Sequence, residues 1–453
     1  MFLTPWLERR YPPFDMRTID FAAASEGNRA ARKSRFRALP VALAMLAASA
    51  AGCRGPQNTI VREASAAPGI EAADWDGVFV RAKGWTGADG AYSVDLRDGR
   101  TLWIFNDTWI GRVVNGKHAS GSRLINNSIA VHPTPAAGSG RPPAAEEFTF
   151  LWGPSGADGA PSAWIVPDLA VLPGRGQAAE AGDSRGWYWP RDGAVVPGAR
   201  EGPPRLVLFL EHIGKKAGDQ SVWGFKGIGG ALAVINNVRN PVREWRAEQF
   251  RIPYAVAADR AVREVNWGAA VHFEEVAPAT GGGYLYIYGI KETDPLNEQL
   301  LLARAPADRV EQFDTWRFRA ADGRWSAEPS DAAAIAEHLV NELTVERIEI
   351  AGRPAFVMVH SEPVFGRRIL VRTADRPEGP WSEPVPIYTV PGVAKNATYF
   401  TYAAKGHGHL SGAGELLVSY VINSNDFWAM AGDAEIYRPR FIRLRFENLI
   451  RTP

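Results

Sequence analysis

The feature that most restricts this chain is a strand pair that recurs along it and returns to one edge carrying acidic residues. The clearest copy runs Asp89-Gly90-Ala91-Tyr92-Ser93-Val94-Asp95-Leu96, turns at Arg97-Asp98-Gly99-Arg100, and comes back as Leu102-Trp103-Ile104-Phe105-Asn106-Asp107-Thr108. In an antiparallel hairpin the start of the first strand lies beside the end of the second. Asp89 and Asp107 are therefore expected to be neighbours on one rim. If such hairpins stand radially around a channel, their rims gather carboxylates into one mouth.

The same theme recurs four more times. Apolar runs fall at Tyr188–Val196, Arg205–His212 and Gly230–Ile235, then at Asn266–Val271, Tyr284–Gly289 and Gln299–Arg304. Further runs follow at Leu343–Ile348, Ala355–His360 and Arg368–Arg372, and finally at Tyr399–Tyr402, Leu416–Tyr420 and Phe441–Phe446. Near-continuous apolar strands are what sheets buried on both faces require. Trp245, Trp325 and Trp381 each follow a third strand, where a tryptophan closes the outer edge of one sheet against the next. With 45 Gly and 33 Pro the chain is rich in turn punctuation, which favours many short strands. The expected fold is all-β: a five-bladed β-propeller over residues 73–453. A β-sandwich is the alternative, and it gives no reason for five repeats. One helix is expected near Ser330–Val340.

The single cysteine, Cys53, rules out a disulfide framework or a cysteine-ligated metal within one chain. A basic run through Arg29, Arg32, Lys33, Arg35 and Arg37 precedes an apolar stretch from Ala38 to Ala51, then Gly52-Cys53. That order is a charged region, a short hydrophobic region and a small-residue cleavage site. Residues 1–53 are thus expected to be an export leader, with translation starting at Met16, and residues 54–72 a tether. Ala50-Ala51-Gly52-Cys53 resembles a bacterial lipobox, although the usual leucine is missing from its first position. That resemblance implies a lipidated Cys53 and a membrane anchor at the outer membrane or cell surface. An ordinary cleaved leader and a periplasmic protein are the alternative.

Several chemistries are excluded by what the chain lacks. With 51 basic and 50 acidic residues the net charge is +1, which gives no electrostatic footing for nucleic acid. The glycine-rich stretches Gly227–Gly230 and Gly281–Gly283 lack the lysine of a phosphate loop. There is no Gly-x-Ser-x-Gly elbow and no His-Glu-x-x-His motif. Apart from His407-Gly408-His409, the histidines have no metal-ligand spacing. No cofactor is expected; a structural channel ion such as calcium is left open. The protein is read as a monomer.

The opening Ala88-Asp89-Gly90-Ala91-Tyr92-Ser93, the turn Asp98-Gly99-Arg100-Thr101-Leu102-Trp103 and Phe105-Asn106-Asp107-Thr108-Trp109-Ile110-Gly111 resemble the first blade of bacterial propellers long catalogued as domains of unknown function. Some of those are grouped with glycoside hydrolases as endo-D-arabinanases. Gly379-Pro380-Trp381-Ser382 is similar to an outer-strand mark of the wider five-bladed superfamily of arabinanases, xylosidases and fructan hydrolases. The resemblance implies glycan cleavage by carboxylates drawn from separate blades. Asp89, Asp192 and Glu342 stand at the corresponding strand starts, although Asp-Gly replaces the superfamily's Asp-Pro at both aspartates.

Glycoside cleavage needs one protonated carboxyl and one ionised one. The assignment from sequence makes Glu342 the general acid, Asp89 the general base and Asp192 the group that tunes Glu342; inversion is the outcome the superfamily suggests. Around them Asp107, Trp109, Trp189, His212, Asn266, Trp267, His360, Tyr399, Asn423 and Arg438 are candidates to hold the sugar. The competing structural account is that Asp-Gly is a turn dipeptide, as at Asp98-Gly99 and Asp322-Gly323, and that most of the tryptophans are core. The expected activity is hydrolysis of a polysaccharide, furanose-containing as in arabinan. The main rival is a non-catalytic surface propeller that binds glycan or a protein through the same mouth. A weaker rival, phosphate-dependent glycosyl transfer, would need a cationic cluster there.

Overall fold

The structure is a computed structural model. It describes residues 69–446 apart from the stretches 157–158, 169–185, 199–201, 217, 220–223, 258–263, 277–281, 295–296, 351 and 364–365. The leader, Cys53 and most of the tether lie outside the described residues.

The fold is almost entirely β and propeller-like. The first sheet orders Tyr92–Asp95, Arg100–Phe105, Ser128–Pro133 and Thr149–Leu151. The second orders Trp187–Val196, Arg205–Lys215, Phe225–Ile235 and Ala247–Arg251. The third runs Val265–Glu275, Gly283–Asp294, Asn297–Pro306, Arg317–Arg319 and Trp325–Ser326, and the fourth Leu343–Ile350, Arg353–Ser361, Arg368–Ala374 and Val385–Thr389. The last has Tyr399–Gly406, Glu415–Ser424 and Arg440–Arg445, and its outer place is taken by Ile70–Glu71 from the other end of the chain. All of these neighbours are antiparallel, as short connections require.

The first strands of successive sheets pack side by side in chain order. Ser93 Oγ to His407 Nδ1, 2.7 Å, joins the last sheet back to the first. Among the described residues, apolar clusters fill the spaces between neighbouring sheets. The period of a strand explains this economy, because successive residues face opposite sides. Leu206, Leu208 and Leu210 pack toward the first sheet, while Val207 and Phe209 pack toward the third. Tryptophans sit where the outer-edge reading puts them: Trp245 is buried against the first two sheets, and Trp325 and Trp381 pack between the third and fourth.

Two features depart from the sequence expectation. Ser330–Val340 is not a helix. A 3-10 turn, Pro329–Asp331, leads into a strand, Ala336–Leu339, that pairs with Asn297–Pro306. The edge of the third sheet offers backbone partners there, and tertiary pairing overrides a weak helical pattern. A small additional sheet, Lys83–Ala88, Thr108–Val114, Lys117–His118 and Arg123–Ile125, also stands outside the repeats. With the short helix Ala73–Val78 it covers the seam between the first and last sheets, where Trp75, Phe79, Trp85 and Trp103 pack together.

Three inner strands carry a bulge at the same level, between Pro190 and Gly193, between Trp267 and Ala270, and between Tyr402 and Lys405. A bulge breaks the alternation and re-aims side chains. In the third sheet it needs Gly268: its φ is +93°, and a Cβ there would meet the Phe209 ring at 2.1 Å. The inner strands thus present selected polar groups to the axis from otherwise apolar sequence.

Candidate active site

Asp89 and Asp107 meet as the hairpin geometry requires. The Asp89 amide donates to the Asp107 carbonyl at 3.3 Å, and the Asn106 amide donates to the Asp89 carbonyl at 3.1 Å. Gly90, at φ +81°, makes the tight approach between them. Both carboxyls line a cavity of about 240 Å³. The first sheet supplies Asn106 beside them, the second Trp189, Arg191 and Phe225, the segment before the fourth Asn341 and Glu342, and the last Phe400, Tyr402 and Asn423. Leu124, Ser424, Phe427, Met430 and Tyr437 complete the wall. Carboxyl and amide groups therefore share the cavity with aromatic faces, the mixture a small-molecule site needs.

The electrostatics separate the acids. Burial first, then the charges of Asp107 and Glu342, push the Asp89 carboxyl well above its usual range, against hydrogen bonds from Tyr402 and Tyr437 that pull it back. Burial raises Asp107 to about 6, moderated by Trp189 Nε1 at 3.0 Å and Asn126 Nδ2 at 3.4 Å, which both donate to its Oδ1. Burial also works to raise Glu342, but Lys405 and then Arg191 overcome it and hold this carboxyl below the ordinary value. Lys405 Nζ donates to Glu342 Oε2 at 2.8 Å and sits 4.4 Å from the centre of the Tyr92 ring. Its side chain is 0% exposed, against 16% for Glu342, so the pair opens to the cavity only on the acid's side.

Asp192 is brought close but not into the cavity wall. The bulge sends its neighbour Arg191 to the cavity and turns Asp192 away, where its oxygens accept from the amides of Gly193 at 2.8 Å and Val271 at 2.9 Å. Burial pushes it up to about 7 despite those bonds. Asp192 therefore braces the second sheet against the third. Arg191 is committed to Glu211 and to the Asn341 carbonyl.

Of the proposed sugar-holding residues, Asp107, Trp189 and Asn423 line the cavity. The others lie elsewhere, and packing explains why. Trp109 is fully buried in the core between the fourth and last sheets, with His118 stacked on it at 4.5 Å. Trp267 is core between the second and third sheets and donates to the Tyr254 carbonyl. His360 is fully buried with Nδ1 on the Ser361 carbonyl, and His212 is buried edge-on to Tyr188. Asn266 is buried, Tyr399 donates to Asp433 at 2.9 Å, and Arg438 pairs with Glu435 at 2.9 Å. Trp109→Ala is accordingly expected to lower stability by about 3–5 kcal/mol, as for a truncated core aromatic. Urea unfolding checks this, and a variant that unfolds like wild type would return Trp109 to the site.

Residues the sequence reading passed over carry much of the geometry. Arg191 stands next to Asp192 and Asn341 next to Glu342, so adjacency to the chosen acids was a usable signal. Lys405 was also visible, as a lone cation in the apolar run Phe400–Gly406. Among the described residues no group of three or more histidine, cysteine, aspartate or glutamate side chains is arranged to hold a metal ion.

A family model matches residues 72–447, which takes in the whole propeller-like fold. The chain belongs to the family described as "Domain of unknown function (DUF5005)". No curated protein matches it by sequence. Among solved structures, a protein of Bacteroides ovatus ATCC 8483 provisionally described as a hydrolase is 20% identical, with a TM-score of 0.61 over 83% of this chain and 90% of that one. At that identity the likeness concerns the fold. A GH43_1 enzyme of Xanthomonas citri matches at 14% identity and a TM-score of 0.39, over 85% of this chain and 91% of that one. An exo-beta-1,3-galactanase of Phanerochaete chrysosporium matches at 8% and 0.37, over 84% and 64%. The site of this DUF5005 protein is therefore read from its own geometry.

Proposed function

We propose that this DUF5005 protein is a glycoside hydrolase in which the five radial sheets are blades and the cavity between their inner strands is the active site. The observation that carries the reading is the pair Asp89 and Asp107, adjacent in one cavity, both raised by burial and Asp89 further by the charges of Asp107 and Glu342. Neighbouring acids pushed to different proton affinities are what glycosidic cleavage demands. Asp89, whose carboxyl is pushed well above its ordinary range by burial and by the charges of Asp107 and Glu342, is the donor to the leaving oxygen. Asp107, ionised above about 6, is the carboxylate that activates water or attacks the anomeric carbon. Glu342 keeps its charge beside Lys405 and so helps Asp89 to stay protonated. This gives Asp89 the acid role the sequence suggested for Glu342, gives Asp107 the base role suggested for Asp89, and moves Glu342 and Asp192 into support. Trp189 and Phe225, in edge contact at 4.8 Å, offer an aromatic wall for a sugar face.

The substrate proposed is a polysaccharide containing furanose sugars, arabinan being the first to try. Export, with Cys53 lipidated, belongs to the same reading and rests on the sequence. A polysaccharide panel with reducing-end detection tests it on wild type, Asp89→Asn and Asp107→Asn. Reducing ends from wild type alone support the assignment, and equal release by both variants overturns it. A binding-only propeller is the second reading, favoured by the ion pairing of Glu342 and the backbone engagement of Asp192. It predicts saturable glycan binding with no new reducing ends.

The pH dependence follows from the two groups. Activity should rise as pH passes about 6, where Asp107 loses its proton. It should fall again as pH passes the elevated value of Asp89, whose proton is then lost. The resulting bell belongs to the pair as a unit. A kcat/KM profile that is flat from pH 5 to 8, on the scale of ~3 units around the operating range, would count against it.

A further inference from the structure

The two oxygens of Asp89 are treated differently. The hydroxyls of Tyr402 and Tyr437 both donate to Oδ2, the latter at 2.9 Å. Oδ1 is buried and has no hydrogen-bond partner among the described residues. Asn423 Nδ2 donates to the Tyr402 hydroxyl oxygen at 3.3 Å, which leaves that hydroxyl its own proton to give to Asp89. Tyr437 is held in a left-handed conformation, φ 58°, with its carbonyl so close to Gly87 that a Cβ there would lie 2.6 Å away. Both tyrosines come from the end of the chain, more than three hundred residues from the acid they serve.

We propose that Tyr402 and Tyr437 are positioning residues that make Asp89 a one-faced acid, saturating Oδ2 so that the transferable proton rides on Oδ1. The proposal rests on the reading of Asp89 as proton donor. In the step, the Oδ1–H bond breaks and the proton joins the glycosidic oxygen, which keeps the electron pair of the breaking C–O bond. Water delivers its oxygen to the anomeric carbon and its released proton to Asp107. Asp89 is left as a carboxylate, and the two hydroxyls already in place on Oδ2 stabilise it without rearrangement. They also counter the groups that hold the proton on Asp89: Asp107 and Glu342 repel the charge, while Lys405 and the two tyrosines favour it.

The test is a side-chain carboxyl titration by NMR on protein labelled with ¹³C at aspartate, without substrate, with Asp89→Asn assigning the resonance. Tyr402→Phe and Tyr437→Phe are each expected to raise the proton affinity of Asp89 by roughly tenfold, the scale of a lost hydrogen bond to a charged group. The double variant should raise it further. Tyr399→Phe, whose hydroxyl bonds to Asp433 instead, should leave it unchanged. If Tyr402→Phe does not fold, Tyr437→Phe and Asn423→Ala carry the measurement. An Asp89 midpoint unmoved by loss of either hydroxyl overturns the proposal. Because the readout needs no turnover, a shifted midpoint alongside full activity of Asp89→Asn would leave the positioning intact and remove the donor role instead.

Discussion

Asp89→Asn is expected to lower kcat on a cleavable glycan by a factor of about 10²–10⁴, the usual contribution of a positioned acid. The amide keeps the shape of the carboxyl and still accepts from both tyrosines, so folding is retained. Stability gives a second signature with a definite sign. The folded protein binds the Asp89 proton more tightly than the unfolded chain does. The wild type therefore loses stability as pH rises from the ordinary aspartate range toward the elevated value. Asparagine has no such dependence. The variant should melt at or above the wild-type temperature at neutral pH, with its advantage shrinking as pH falls below the ordinary aspartate value of ~4, where the aspartate becomes protonated in both states. Loss of activity with gain of stability separates a chemical role from a scaffolding one. Calorimetry across pH and a reducing-end assay measure both. Retained activity would move the donor to another carboxyl.

Lys405→Met should produce a large stability effect. It removes the cation from Glu342 in a place where Lys405 is wholly excluded from solvent. Breaking one side of a buried pair typically costs about 3–5 kcal/mol, because the remaining charge is stranded. Glu342 is then driven to take up a proton. Adding Glu342→Gln to Lys405→Met should recover much of the lost stability, since no charge is then left unpaired. Urea unfolding of the single and double variants measures this. A double variant no more stable than Lys405→Met would mean that the lysine acts by packing on Tyr92 rather than through Glu342.

The radial architecture was legible because sheets buried on both faces leave long apolar runs, and turns leave glycine and proline between them. The meeting of Asp89 with Asp107 was legible for a similar reason, since a short hairpin fixes what lies opposite what. Asp192 was misplaced because it was read as a strand start, whereas its strand already begins at Trp187 and a bulge that nothing local announces, between Pro190 and Gly193, turns its side chain away. Trp109 lies four residues from Phe105, but after the turn its strand joins a different sheet, which turns the ring into the core rather than toward the cavity. Tyr437 was out of reach for another reason. It belongs to no regular strand, and only tertiary closure brings it to Asp89.

That closure has a mechanical side. Ile70 and Glu71 are hydrogen-bonded to the third strand of the last sheet, Arg440–Arg445, and Gly69 reaches across to the Ile387 carbonyl. A pull transmitted through the preceding residues would therefore enter the ring at its fastening, loading a two-residue strand before any other. Peeling that strand would part the last sheet from its N-terminal edge while Asp89 and Tyr437 still faced one another, so a load would be felt first at the outer edge and only afterwards at the acids.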